Sequence, residues 1–185
     1  MKKMFQVGLT LALICAVGAT LLAFVNGLTV PKIAEYENSV MVQALKEVSG
    51  EFIPGEKVLE TGDNQISAYY RLVDTNGSLV GYILQLVSNG YGGGLSLTVS
   101  YDVSGTVINA KLLTNSETPG LGKKAEAAGY MDKFIGKGGT ENIPLKKDQL
   151  DKADADSVGG ATVTFTGISK AISHGSQFVH GLGGK

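Results

Sequence analysis

The chain has 185 residues and a formal net charge of −1, from 16 basic and 17 acidic side chains. This balance, the absence of tryptophan and the lack of any basic run argue against binding to nucleic acid. One cysteine and two histidines exclude an intrachain disulfide and argue against a zinc, haem or iron–sulfur site. Hydrophobic residues make up 43%, which suffices for an apolar terminal segment and one globular core.

The amino-terminal segment Phe5–Val30 contains 26 residues without a charge. A helix needs about 20 apolar residues to cross the hydrocarbon layer, whereas the apolar part of a cleaved signal peptide has about 7–15. The length therefore favours an uncleaved membrane anchor over a signal peptide. Because Lys2 and Lys3 precede the segment, the positive-inside rule predicts a cytoplasmic amino terminus in the cell membrane and an extracytoplasmic remainder.

The next segment, Pro31–Val48, is predicted to be an amphipathic helix with proline in its first turn. Its apolar residues recur at helical spacing, namely Ile33, Tyr36, Val40, Ala44 and Val48. We therefore expect three parts along the chain. Residues 1–30 form the cytoplasmic tip and anchor, residues 31–50 a linker helix, and residues 51–185 one extracytoplasmic domain.

Alternating apolar and polar residues predict four strands, at Ile66–Val73, Leu79–Ser88, Leu95–Tyr101 and Thr106–Leu113. Short turn sequences join them, which favours an antiparallel meander with one face for water and one for a core. Helical spacing predicts two further helices, at Ala125–Ile135 and Gly167–His180. The expected fold class is α+β, with an antiparallel sheet flanked by helices.

An acidic segment precedes the last predicted helix, with aspartates at Asp148, Asp151, Asp154 and Asp156. A calcium-binding EF-hand loop also needs a glycine at its sixth position and a closing glutamate, and both are missing here. The pattern is typical of a solvated acidic turn. We expect no metal site and no catalytic acid, base or nucleophile in this chain.

Three glycine-containing segments follow one another along the predicted domain. They are Asn89-Gly90-Tyr91-Gly92-Gly93, then Ser116-Glu117-Thr118-Pro119-Gly120-Leu121-Gly122, and then Asp156-Ser157-Val158-Gly159-Gly160-Ala161-Thr162. Glycine allows the backbone to approach a phosphate closely, and a helix start offers free N–H groups and a favourable dipole to it. Taken alone, the last segment also fits an ordinary turn followed by a helix.

These segments resemble, in the same order, the FMN-binding domain found in the G subunit of Rnf complexes and in the C subunit of the sodium-pumping NADH:quinone reductase. The Glu-Thr-Pro-Gly-Leu-Gly sequence at 117–122 matches the family loop at every position. The 156–162 segment resembles the acceptor motif for covalent flavin attachment, Asp followed by spacer residues and Gly-Ala-Thr. The resemblance covers most of the chain after residue 30.

The resemblance implies that Thr162 carries FMN through a phosphoester bond and that Asp156 and Ser157 belong to the signal read by a flavin transferase. It also implies that the other matched residues surround the cofactor, namely Tyr91, Gly92, Glu117, Thr118, Gly120, Leu121, Gly122, Gly160 and Ala161. Glu117 could contact the flavin or bond the backbone of its own turn, and Tyr91 could lie near the ring or fill core.

One position departs from the family pattern, which usually has Ser or Thr before Gly-Ala-Thr. Here that position is Gly159, and the nearest hydroxyl belongs to Ser157. Thr164 and Thr166 are therefore alternative acceptors, ranked behind Thr162.

The leading functional hypothesis is a redox-carrier subunit of an Rnf-type complex, which moves electrons between ferredoxin and NAD and couples this to Na⁺ or H⁺ transport. Its partners would be other subunits of the complex, the flavin transferase during maturation, and membrane lipid. Two alternatives are a stand-alone membrane-anchored flavoprotein and the C subunit of the sodium-pumping quinone reductase. A third is an assembly module without flavin.

Overall fold

The computed structural model describes residues 2–183 and divides the chain into two compact units, Met1–Met41 and Val42–Lys185. One α-helix, α1 (Lys2–Ser49), begins in the first unit and ends in the second. Within the described chain it is the one helix long and apolar enough to cross a membrane. It begins at Lys2 and contains Pro31, so the predicted start of a separate helix at Pro31 is wrong. Proline removes one hydrogen bond of the helix, because it has no N–H group, and the hydrogen bonds before and after it keep the helix continuous.

The second unit contains a five-stranded antiparallel sheet whose spatial order follows the chain. Its strands are β1 (Ile53–Val58), β2 (Ile66–Val73), β3 (Leu79–Asn89), β4 (Gly94–Asp102) and β5 (Val107–Asn115). The four predicted strands and the α+β class are confirmed. The edge strand β1 was not predicted, because Pro54 and Gly55 interrupt its pattern and its register shifts between Pro54 and Lys57.

The main core lies between one face of the sheet and the carboxyl-terminal helix α3 (Thr162–Gly183). Alternate residues of β4 point into it, as the pleat of a strand requires. The fully buried members with the largest side chains include Leu95, Leu97, Tyr101, Phe134, Phe165, Ile168 and Ile172. α3 begins five residues before the predicted helix, so the glycine-containing segment at 156–162 leads directly into it.

The other face of the sheet is only partly open to water, contrary to the prediction from β4. Thr98 and Ser100 are fully buried there, because the last turns of α1 cover this face. The Ser100 hydroxyl donates to the Val48 carbonyl at 2.7 Å, and Val48 packs in a small second cluster with Leu72 and its neighbours. The α1 carbonyl thus satisfies the Ser100 hydroxyl, whereas the buried Thr98 hydroxyl has no hydrogen-bond partner among the described residues.

Two short 3₁₀ helices, Gly122–Glu126 and Tyr130–Phe134, replace the predicted helix at 125–135. Gly129 separates them with a left-handed backbone, at φ 78°, which a continuous helix does not allow. The acidic segment contains a six-residue helix, α2 (Lys152–Ser157), rather than only a turn. The Asp151 carboxylate caps it by accepting from the Asp154 N–H at 2.9 Å.

α3 approaches the sheet closely at two glycines that lie two turns apart. A Cβ on Gly167 would lie 2.3 Å from the Asn89 carbonyl oxygen at the end of β3. A Cβ on Gly175 would lie 2.4 Å from the phenol oxygen of Tyr101, which donates to the Ile172 carbonyl at 2.9 Å. The absence of side chains at these positions therefore fixes how near the helix lies to β3 and β4.

Gly167→Ala should lower the free energy of unfolding by about 1–3 kcal/mol, because the added methyl group overlaps backbone that cannot move aside freely. Gly181→Ala is the matched control, since a Cβ there meets nothing within 4 Å and alanine favours a helix by up to about 1 kcal/mol. Denaturant unfolding of the full chain in detergent, followed by near-ultraviolet circular dichroism, compares the two. Equal stability of both variants would contradict the close approach at Gly167.

Candidate functional site

Three loops that are far apart in the sequence meet at the amino-terminal end of α3. They are the β3–β4 loop, the segment after β5, and the turn between α2 and α3. Together they enclose a cavity of about 390 Å³, called the loop cavity below. It is lined by Tyr91, Glu117, Thr118, Leu121, Gly122, Gly160, Ala161, Thr162, Val163 and Thr164.

The carboxylate of Glu117 connects the segment after β5 to the β3–β4 loop and to the first turn of α3. It is 4% exposed, and its two oxygens accept from different segments. The Gly92 N–H donates to Oε1 at 3.2 Å, and the Thr164 hydroxyl donates to Oε2 at 2.9 Å. Hydrogen bonds to a charged group are worth about 1.5–3 kcal/mol each. Glu117 thus bonds other segments rather than the backbone of its own turn.

Two glycines leave the space that this carboxylate occupies. A Cβ on Gly90 would lie 1.9 Å from Oε1 of Glu117, and a Cβ on Gly122 would lie 2.2 Å from Oε2. Any larger residue at either position would push the carboxylate out of its bonds to Gly92 and Thr164. The hydrogen bonds of Glu117 therefore require glycine at both positions.

The Thr-Pro-Gly-Leu sequence forms a β-turn at one wall of the loop cavity. The Leu121 N–H donates to the Thr118 carbonyl at 3.2 Å, and Gly120 has φ 79°. Proline at the second position and a left-handed glycine at the third are the pattern of a type II turn. The turn leaves the Leu121 side chain 47% exposed at the cavity.

Thr162 is the first residue of α3, and its side chain is exposed at the edge of the loop cavity. The first N–H groups of a helix have no partner within it and carry the positive end of its dipole. The next threonine, Thr164, is 1% exposed, and its hydroxyl is already bonded to Glu117. Thr166 lies one turn further on and lines other cavities, not the loop cavity.

Two lysines flank the turn that precedes Thr162. Lys124 Nζ donates to the Gly159 carbonyl at 3.3 Å, and Lys147 lines a neighbouring cavity that also includes Thr162. Neither lysine forms an ion pair within the part of the chain that the structure describes. A Cβ on Gly159 would lie 3.1 Å from the Asp156 carbonyl oxygen, so the usual Ser or Thr would fit after a small shift.

Asp156 and Ser157 belong to α2 and do not line the loop cavity. Asp156 is exposed, whereas the Ser157 hydroxyl donates to the Asp154 carbonyl at 2.7 Å. Beneath this helix, the ammonium of Lys133 lies 3.9 Å from the Asp154 carboxylate and 3.6 Å from the centre of the Tyr130 ring. Burial lowers the pKa of Lys133, and the nearby aspartates oppose that shift.

Eight of the twelve residues singled out from the sequence line the loop cavity, and Gly92 and Gly120 lie in the same two loops. Asp156 and Ser157 lie apart, on α2. The sequence did not point to the role of Thr164 or to Val163, which lines the cavity and is 54% exposed. An exposed Val directly after Gly-Ala-Thr is the one signal that could have indicated an apolar surface there.

Two family models match different parts of the chain. Residues 90–176 match the family model of the FMN-binding domain, and residues 1–48 match that of the RnfG N-terminal region. The first match contains the β3–β4 loop, the segment after β5, and Thr162. The second contains almost all of α1.

Relatives of similar length come from archaea and bacteria. The G subunit of the ion-translocating oxidoreductase complex of Methanosarcina acetivorans is 28% identical, over 96% of this chain and 95% of its own. The G subunit of the Na⁺-translocating ferredoxin:NAD⁺ oxidoreductase complex of Acetobacterium woodii is 26% identical, over 98% and 94%. The proton-translocating counterpart of Clostridium ljungdahlii is 24% identical, over 96% and 92%. The chain therefore combines an RnfG N-terminal region with an FMN-binding domain, and it is similar over nearly its whole length to G subunits of Rnf-type complexes.

Proposed function

We propose that this chain is the electron-transfer subunit of a membrane-bound, ion-translocating ferredoxin:NAD⁺ oxidoreductase and carries FMN covalently on Thr162. The observation that carries the proposal is the convergence of three loops on one cavity with an exposed threonine at its edge. The chain acts as a redox carrier within the complex and needs no catalytic acid or base of its own.

The loop cavity has the composition that a flavin needs. Its volume of about 390 Å³ is within the range of about 300–1,000 Å³ for small-molecule sites. Tyr91, Leu121 and Val163 expose 79%, 47% and 54% of their surface there, and such apolar and aromatic groups can cover an isoalloxazine ring. The Thr118 hydroxyl and the backbone of Gly122, Gly160 and Ala161 supply polar groups beside them.

Thr162 is a better acceptor than the two threonines that follow it. Its hydroxyl is exposed at the start of α3, whereas the Thr164 hydroxyl is buried and bonded to Glu117. Thr166 lies outside the loop cavity. A flavin attached at Thr162 can reach the cavity without disturbing the Glu117 contact.

The attachment is a phosphoryl-transfer reaction in which the Thr162 Oγ–phosphorus bond forms. We take the donor to be a flavin dinucleotide, in which a pyrophosphate bond breaks. The nucleoside monophosphate leaves, and the hydroxyl proton goes to the solvent or to a base of the transferase. The product is a phosphodiester with one negative charge. Lys124 and Lys147 flank the preceding turn, and the α3 amino terminus points its N–H groups there, so the charge is favourably placed.

When bound, FMN supplies the redox chemistry, and the protein supplies position and environment. Tyr91, Leu121 and Val163 would cover one side of the bound flavin. The bonds of Glu117 to Gly92 and Thr164 hold the walls at a fixed separation. Because the link to Thr162 is covalent, the carrier stays loaded where free FMN would diffuse away.

Asp156, with Ser157 beside it, forms the recognition signal for the flavin transferase. The exposed carboxylate of Asp156 is accessible to another protein, and it can help to position a metal ion of that enzyme. Ser157 contributes indirectly. Its hydroxyl donates to the Asp154 carbonyl at 2.7 Å and so stabilises the last turn of α2.

α1 anchors the chain in the cell membrane, with lipid and other subunits of the complex as its neighbours. Lys2 and Lys3 at its start favour a cytoplasmic amino terminus, so the FMN-binding domain would be extracytoplasmic. The match of residues 1–48 to the RnfG N-terminal region supports an Rnf complex over the quinone reductase or a stand-alone flavoprotein. Both Na⁺ and H⁺ are candidate coupling ions, since relatives named for each are similar to this chain.

Thr162→Ala should abolish covalent flavin when the protein is made together with a flavin transferase, because the substitution removes the only oxygen that can form the bond. Thr162→Ser keeps that oxygen and should retain flavin at least in part. Thr166→Ala is the matched control on the same helix face and should load fully. Flavin fluorescence of the denatured band, divided by protein stain, measures loading. Full fluorescence of Thr162→Ala would contradict the assignment.

Asp156→Ala should reduce loading severalfold without changing the unfolding transition, because exposed substitutions usually alter stability by no more than about 0.5 kcal/mol. Asp148→Ala removes another exposed carboxylate of the same acidic segment and should load normally. Loading is followed as a time course with purified transferase and full-length chain in detergent. If both variants load at the wild-type rate, Asp156 is not part of the signal.

A further inference from the structure

We propose that the Glu117 carboxylate lowers the reduction potential of the flavin in the loop cavity. The inference rests on the proposed function, because it requires a flavin to occupy that cavity. It adds an electrostatic role for Glu117 to the structural role of its hydrogen bonds to Gly92 and Thr164. Glu117 would then be a potential-setting residue.

The charge of Glu117 is buried and has no cationic partner. The side chain is 4% exposed, and it forms no ion pair with any residue between 2 and 183. The nearest basic residues along the chain are engaged elsewhere, since Lys123 pairs with Glu126 at 3.5 Å and Lys124 bonds the Gly159 carbonyl. Its two hydrogen bonds, from an amide and a hydroxyl, stabilise the charge without neutralising it.

Glu117 also lines the cavity that would hold the ring. Apart from the Tyr91 phenol, it is the one ionisable side chain among the ten lining residues. Its position is fixed, because Gly90 and Gly122 closely surround its oxygens and Gly92 and Thr164 bond them. A fixed charge cannot reorient when the charge of its neighbour changes.

Two-electron reduction of the bound flavin with uptake of one proton from solvent would give the hydroquinone anion, whose ring carries one more negative charge than the oxidised form. A fixed anion beside the ring raises the energy of the reduced form relative to the oxidised form. The effect is larger where water is excluded, because the effective dielectric constant is low there. Charge near the ring is one of the means by which proteins tune flavins. Glu117 should therefore favour oxidised flavin and make the reduced carrier a stronger donor.

The test compares Glu117→Gln with the wild type as full-length, FMN-loaded protein in detergent. Glutamine keeps the shape, and its carbonyl can still accept from Gly92, while the Thr164 hydroxyl can turn to accept from its amide. At a fixed applied potential, the ratio of reduced to oxidised flavin should be about tenfold higher, or more, in Glu117→Gln than in the wild type. The variant lacks the repulsion between one fixed negative charge and the reduced ring. Glu126→Gln removes an exposed, paired charge and should change the ratio less than twofold.

A second measurement covers the case in which Glu117→Gln is not loaded covalently. The full-length apoprotein is titrated with free FMN, oxidised in one series and chemically reduced in the other. The ratio of the two dissociation constants must change by the same factor as the redox ratio, by linkage. It should shift about tenfold towards reduced FMN in Glu117→Gln and stay constant in Glu126→Gln.

The outcomes separate this inference from the proposed function. If the wild type holds flavin but Glu117→Gln leaves both ratios within twofold of it, or shifts them towards oxidised flavin, Glu117 does not set the potential. The proposed function would survive that result. If the wild type takes up no flavin in either measurement, the proposed function fails, and this inference fails with it.

Discussion

The two hydrogen bonds accepted by Glu117 are the constraint on which the site depends. They connect the β3–β4 loop and the start of α3 to the segment that follows β5, across 25 and 47 residues of sequence. Loss of either donor would leave a buried carboxylate oxygen without a hydrogen bond and would lower the stability of the fold. The Glu117 carboxylate therefore stays buried only while Gly92 and Thr164 donate to it. Gly90 and Gly122 belong to the same arrangement, since neither position has room for a side chain beside the carboxylate.

The position of Thr162, the proposed acceptor, follows from the core rather than from the loops. Thr162 begins the helix that also supplies Phe165, Ile168 and Ile172 to the main cluster. Gly167 brings this helix within contact of the end of β3, next to the loop that carries Tyr91. A residue at the end of a rigid helix is located more exactly than one on a free loop. The cavity wall and the proposed attachment point are therefore held by the same packing.

The sequence was sufficient to predict the strands with regular alternation, the long apolar helix and most residues of the loop cavity. It failed where local pattern is overridden by contacts between distant segments. The hydroxyl-bearing face of β4 resembles a solvent face, yet the carbonyl of Val48 accepts from Ser100 there. The 125–135 segment has helical spacing, but the left-handed Gly129 divides it. Thr164 looked like a spare acceptor, and only the folded chain reveals that its hydroxyl is bonded to Glu117.

The central claim is that Thr162, rather than a neighbouring hydroxyl, carries the flavin at the edge of the loop cavity. The most direct measurement is fragmentation mass spectrometry of the tryptic peptide between Lys152 and Lys170, from protein made with a flavin transferase. This peptide contains Thr162, Thr164 and Thr166. The account predicts one added FMN, less one water, on fragments that contain Thr162 and on none that contain only the later threonines. An adduct on Thr164 or Thr166, or an unmodified peptide, would contradict it.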